Sequence, residues 1–266
     1  MRKRKRLLLI LIFLGIFLFS GYQLLGLLGD YQDGQDSYQS LNQYVSLEAT
    51  QPTAATVLPD STEPSQTMPT LPPDVSDWPV VDFEALRQIN PDVVGWILIE
   101  GTNINYPIVQ GADNDYYLNH LFDGRYNKAG CIFLDYRCAA DLSDPHSILY
   151  GHHMRDFTMF THLMNYKDPA FYDTHPTALI VSENAYYRIQ FFSGYVTNNE
   201  DNAWEIDPDQ GDFSGWLTDI QNKSSFKPQI LPPEDARILT LSTCTYEFNS
   251  AKFVLHGFIS ETIEKP

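Results

Sequence analysis

The chain has 266 residues, 43% hydrophobic and 14% aromatic, with 34 acidic against 17 basic side chains and a formal net charge of −17. That balance excludes a nucleic-acid-binding surface, which needs clustered Lys and Arg, and it speaks against docking on anionic lipid. Five of the basic residues lie within Met1–Arg6, so the rest of the chain carries a charge near −22, read as a solvated acidic surface.

Residues 7–28 hold no charged side chain and are mostly Leu, Ile and Phe. A helix of that length spans roughly 30 Å, the thickness of a bilayer core. No Lys or Arg occurs from Leu7 to Leu86, which places the amino terminus in the cytoplasm and the remainder outside. The length of the apolar run, and the absence of an A-x-A-like site after it, favour a retained signal anchor over a cleaved signal peptide. Residues 29–76 are rich in Gln, Ser, Thr, Asp and Pro, with Pro52, Pro59, Pro64, Pro69, Pro72 and Pro73 punctuating them. Such a composition predicts a disordered extracytoplasmic stalk. The expected organisation is a basic cytoplasmic tail over 1–6, a single-pass anchor in the cell membrane over 7–28, the linker over 29–76 and a catalytic domain over 77–266.

From Trp78 the pattern becomes globular. Asp82 predicts the N-cap of a helix with Phe83, Leu86 and Ile89 on one face, stopped at Asn90-Pro91. Trp96–Ile99 and Ile104–Val109 read as paired strands. Cys131–Leu134 and Ser147–Tyr150 read as strands too. Asp156 predicts a short helix with Phe157, Phe160 and Met164 inward. Asp168-Pro169 opens another, with the acid at N-cap and the proline at N1. Ala178–Val181 and Ala185–Ser193 form a hairpin around Ser-Glu-Asn. Phe213, Trp216, Leu217 and Ile220 fall at helical spacing. The runs Arg237–Cys244 and Lys252–Ile259 are the last strands. The class is mixed, mainly β: a barrel-like sheet with peripheral helices.

Three cysteines, Cys131, Cys138 and Cys244, leave at least one unpaired thiol. Cys131 and Cys138 are either a pair or small buried apolar residues. No C-x-x-C or H-E-x-x-H pattern occurs, which disfavours a structural zinc or zincin site. Cys244 ends a strand, where a thiol meets a groove, and Ser242 and Thr243 beside it leave room for an extended substrate. Of seven histidines, His152 and His153 follow a strand ending at Gly151, in the kind of loop that carries catalytic groups. Adjacent residues point differently, so at most one of the two is the acid/base. His256 sits inside the last strand and reads as a core histidine. Lys252 opens that strand and suits stabilisation of a tetrahedral oxyanion.

Thr240-Leu-Ser-Thr-Cys244 with a cation eight residues on, and Ile148-Leu-Tyr-Gly-His152-His153-Met154, resemble the class B sortases. Val93–Ile97, Asn103–Gly111, Asp115–Leu118 and Ile132–Asp135 are similar less sharply. The resemblance covers roughly Asp82–Ile259. It implies a sortase-like eight-stranded β-barrel with peripheral helices and a Cys-His-Arg site, with Cys244 as nucleophile and His152 as the imidazole. The cation position falls on Lys252, where the family has arginine; lysine keeps the charge and loses the planar fork. Ser242, Thr243 and Leu118 are the implied substrate contacts. The implied reaction is transpeptidation: cleavage of a sorting-signal peptide through a thioester, then transfer to an amine of a peptidoglycan precursor or a pilin lysine, with no cofactor. Two other classes share these residues. One is a secreted cysteine peptidase, in which water replaces the amine. The other is a membrane-tethered peptide-binding module weakened in catalysis, for which Lys252 is the argument.

Overall fold

The computed structural model describes residues 2–46, 78–206 and 212–265. The expected β runs close into one barrel. Its strands are β3 (Val93–Leu98), β4 (Asn105–Val109), β5 (Ile132–Leu134), β6 (His146–Tyr150), β7 (Thr177–Val181), β8 (Ala185–Thr197), β9 (Ile238–Cys244) and β10 (Lys252–Glu264). They pair in the closed order β10-β8-β7-β3-β4-β5-β6-β9. The β4–β5 and β6–β9 contacts are parallel and the others antiparallel. Closure leaves no unpaired edge in the barrel. Its interior is filled by Ile97, Ile108, Ile132, Leu134, Leu149, Ile189, Leu241 and Phe253, all buried and on one face by the strand register.

The α-helices that follow Trp78 are short, and two of them are capped as the sequence predicts. In α2 (Phe83–Ile89) the Asp82 carboxylate accepts from the Ala85 amide, and in α3 (Pro169–Thr174) Asp168 accepts from Ala170. Helix α4 (Phe213–Asn222) is capped by Asp212. It lays Trp216, Leu217 and Ile220 on a second, outer core made with Phe192, Tyr195, Val254 and Phe258. Ile89 departs from expectation by facing solvent, 38% exposed.

The helix expected after Asp156 does not form there. Asp156 accepts from the amide and the hydroxyl of Thr158, a local turn that competes with the helical ladder. Phe157 and Met159 then take positive φ, at 64° and 55°. Phe157 is thrown outward, and a 3-10 segment starts later, at Thr161–Lys167, with Phe160 and Leu163 buried.

The predicted linker is corrected over its first part. Helix α1 runs without a break over Arg2–Leu41, and its last turns pack on the domain. Gly34, Tyr38 and Leu41 are buried along one face. The Tyr38 hydroxyl donates to Gly130 O, its ring meets Tyr106 edge-on at 5.2 Å, and Asp33 pairs with Arg125. The stripe at i, i+4, i+7 is helical, but its polar neighbours hide it in composition. The short strand β1 (Val45–Ser46) then pairs antiparallel with β2 (Val80–Val81). The remainder of the expected linker, residues 47–76, lies outside the described residues, as does residue 77. Cys131 and Cys138 are both free and buried, so they are not a disulfide.

His256 is in the core, as read, and His146 joins it. Burial pushes the His146 imidazole down to about 4 and holds His256 well below its ordinary value. As pH falls, the unfolded chain therefore takes up these protons first. Stability contributed by a neutral buried His146 is complete above about pH 6.5 and is lost between there and about pH 4. Replacing His146 by Asn should flatten the pH dependence of stability across that window, measured by denaturant unfolding at fixed pH values. An unchanged slope would contradict the assignment.

Candidate active site

Strand β9 delivers Cys244 to its own end, and the antiparallel register sets Lys252, the first residue of β10, directly opposite. Lys252 Nζ lies 3.0 Å from Cys244 Sγ. Both side chains are half-buried, and both line a cleft of about 500 Å³. An ammonium at hydrogen-bond distance gives a thiolate formed there a fixed counter-charge.

Strand β6 ends alongside β9, and Gly151 extends that pairing by donating its amide to Ser242 O at 3.1 Å. No side chain fits at Gly151: a Cβ there would lie 2.4 Å from Ile132 Cδ1 and 2.7 Å from the Phe160 ring. The chain can therefore run close against the barrel before turning out at His152 and His153.

The two histidines separate cleanly. His152 lines the cleft with Cys244 and Lys252. Its Nε2 lies 2.7 Å from Leu118 O. A carbonyl only accepts, so Nε2 carries the hydrogen, and Nδ1 is the nitrogen of the neutral ring that can exchange a proton. His153 Nδ1 instead donates to the backbone oxygen of Cys244 at 3.0 Å, with its ring 5.2 Å from Tyr246. One imidazole faces the cleft; the other grips the nucleophile's main chain.

The implied substrate contacts also meet here. Leu118 lines the cleft from a short 3-10 turn, and Ser242 lies two residues before Cys244 on the same strand face. Thr243 borders the cleft, but alternation turns its side chain to the opposite face, where Oγ1 is buried without a partner among the described residues. Its hydroxyl is therefore not presented to a ligand.

The sequence reading missed the opposite wall. Tyr150, Asn199, Asp201, Asn202, Trp204 and Glu205 complete the cleft. Trp204 Nε1 donates to Ser242 Oγ at 3.1 Å. Asp201 ties the loop down through Tyr195, Thr197 and Lys223, with Lys223 Nζ at 2.9 Å. Tyr150 donates to Asp135 Oδ2 at 3.0 Å. Burial alone would raise that carboxyl; hydrogen bonds from Arg137 and Asn114 outweigh it and hold the group below its ordinary value. A lone Trp in the polar run Asn198–Asn202-Ala-Trp204 is the one signal that pointed to this wall. Among the described residues no cluster of His, Cys, Asp or Glu is arranged to hold a metal.

The family model described as the sortase domain matches residues 97–257. Sortase B of Listeria monocytogenes is 31% identical over 252 residues, covering 94% of each chain. The Staphylococcus aureus sortase B–substrate complex superposes with a TM-score of 0.63 at 35% identity, covering 69% of this chain and 85% of that one. A sortase B complexed with triglycine gives 0.61 at 35% identity, over 69% and 86%. Barrel, cleft and relatives agree: the chain belongs to the sortase family, in its class B, and is a cysteine transpeptidase.

Gly151→Ala should cost about 1–3 kcal/mol of stability through overpacking against Ile132 and Phe160. Thermal unfolding of the two proteins checks it; an unchanged midpoint would mean the close approach is relaxed without cost.

Proposed function

We propose that this transpeptidase is held in the membrane by residues 7–28, with the catalytic domain outside, and works through a thioester on Cys244. The observation that supports it is the Lys252 ammonium 3.0 Å from Cys244 Sγ in a cleft also lined by His152. The Cys244 thiol passes its proton to His152 Nδ1, and the sulfur attacks the carbonyl of a threonine-containing peptide bond in a sorting signal on a surface protein or pilin. The resulting oxyanion is stabilised by Lys252, and His152 gives its proton, at Nδ1, to the departing amine. An incoming amine, from a peptidoglycan precursor or a lysine, then attacks the thioester and gives up a proton to His152 Nδ1. The new amide forms and the thiolate leaves. A sortase B bound to a substrate and another bound to triglycine fit a peptide donor and an amine acceptor. The lysine in place of the family's arginine keeps the cation where the oxyanion forms and gives up bidentate donation.

The helical stretch from Ile10 onward is long and apolar enough to cross a membrane. The protein should sediment with membranes, resist alkaline carbonate and be released by detergent. A soluble product starting after residue 28 would rule the anchor out.

The acyl-enzyme is the direct test. With peptides randomised around a central threonine, mass spectrometry should find the adduct on the parent and none on Cys244→Ala, because no neighbouring group replaces the thiol. His152→Ala should lose about a hundredfold or more in rate, the scale of a positioned acid/base, and His153→Ala much less. The larger loss at His153 would exchange their roles.

Lys252→Ala should slow turnover by roughly 10²- to 10³-fold, as for loss of an oxyanion donor. Lys252→Arg should equal or exceed the parent, having regained the fork. Full activity in Lys252→Ala would take Lys252 out of the site.

A further inference from the structure

Three polar side chains lie fully buried side by side across three neighbouring strands: His146 on β6, Thr240 on β9 and His256 on β10. His146 Nδ1 is 2.6 Å from Glu205 O, and its Nε2 is 2.7 Å from Thr240 Oγ1. Thr240 Oγ1 is in turn 2.7 Å from His256 Nδ1. The Glu205 carbonyl can only accept, so His146 carries its hydrogen on Nδ1. The neutral ring then offers a lone pair at Nε2, which obliges Thr240 to donate to it. The Thr240 oxygen is left to accept from His256 Nδ1–H. One arrangement of protons satisfies all three contacts, and it runs from β10 towards the loop that carries Glu205.

Barrel closure does not call for such a row. An apolar trio would fill the same space, and a buried polar network is costly where a member stays unsatisfied, as His256 Nε2 does here among the described residues. Here it ends on one backbone oxygen of the 198–206 loop, which supplies Asn199, Asp201, Asn202, Trp204 and Glu205 to the cleft. Strand β9 carries Thr240, Ser242 and Cys244 on a single face, two residues apart. Ser242 takes the bond from Trp204, and Thr240 anchors the relay two positions below it. The loop is therefore tied at two successive steps of the strand that ends in the nucleophile.

We infer that His146, Thr240 and His256 are positioning residues that set the 199–205 wall for the donor peptide, acting through the Glu205 carbonyl and touching no substrate themselves. This rests on the cleft being the peptide site.

Thr240→Val is isosteric, so it cuts the relay without opening a cavity. Amide exchange in residues 199–206, measured without peptide, should quicken at least tenfold. On an accepted threonine peptide with triglycine as acceptor, KM should rise fivefold or more while kcat stays within twofold. His146→Asn places an amide near the Nδ1 position and should keep the bond to Glu205. His146→Gln places it near Nε2 and should lose that bond. Both delete the same ring, so a purely structural role predicts matched effects, whereas positioning predicts loop exchange and KM near parent for Asn and raised for Gln. Loop exchange in Thr240→Val equal to the parent overturns the inference, as does a KM that holds while the melting temperature falls. Because exchange needs no peptide, it decides the positioning role even if every peptide is refused, a result that would overturn the reading of the cleft instead.

Discussion

Barrel closure and catalytic geometry are the same set of hydrogen bonds. Strand β10 is held between β8 and β9, and its register against β9 puts Lys252 across from Cys244. A slip of one residue would turn every side chain of β10 to the other face, sending Lys252 away from the sulfur and Phe253 out of the core. The buried Phe253 and Leu255 on one face, and Val254 and His256 on the other, make that slip prohibitive. The cation is thus placed by hydrophobic packing several residues away, and lysine needs no partner of its own to stay there.

The parallel contact between β6 and β9 does the corresponding work for the imidazole. It brings the ends of two strands, distant in sequence, to the same rim. The peptide must then leave the barrel at Gly151, because the packed Ile132 and Phe160 leave no room for a side chain. Two adjacent histidines emerge from that exit in opposite senses. One lines the cleft and the other holds the nucleophile's carbonyl, so the doubled histidine is a division of labour.

What could be read in advance follows from how each feature is encoded. Strands such as Ile238–Cys244 are buried and rich in β-branched and apolar residues, and caps such as Asp82 and Asp168 are local chemistry, so both were legible, though the strand expected at Trp96–Ile99 begins earlier, at Val93. The cysteine and the cleft histidine were legible through their motifs. The cleft wall at 199–205 was not, since polar loops look alike until their backbone partners are known; only Trp204 stood out. The helix expected at Asp156 failed because a short-range turn from the same aspartate competes with it. The docked turns of α1 were hidden because Gly34, Tyr38 and Leu41 make a stripe three residues deep in otherwise linker-like composition. His146 gave no sign of its place, because a buried histidine is defined by what two other strands bring to it.

Residues 46 and 80 lie side by side in a β ladder, and the helix leading to them is fastened to the domain. Whatever length the intervening segment has, it begins and ends at the same spot, so it would add nothing to the distance between the domain and a bilayer crossed by residues 7–28. With the anchor proposed above, that distance would be set by the few residues of α1 between residue 28 and the helix's first hydrogen bonds to the domain, from Asn127 to Asp30 O and from Arg125 to Asp33. The enzyme would then patrol a thin layer over the bilayer like a plough at fixed depth. A donor would have to present its cleavage point inside that layer, while still close to the membrane it came through, and lengthening the 47–77 segment would leave the layer where it is.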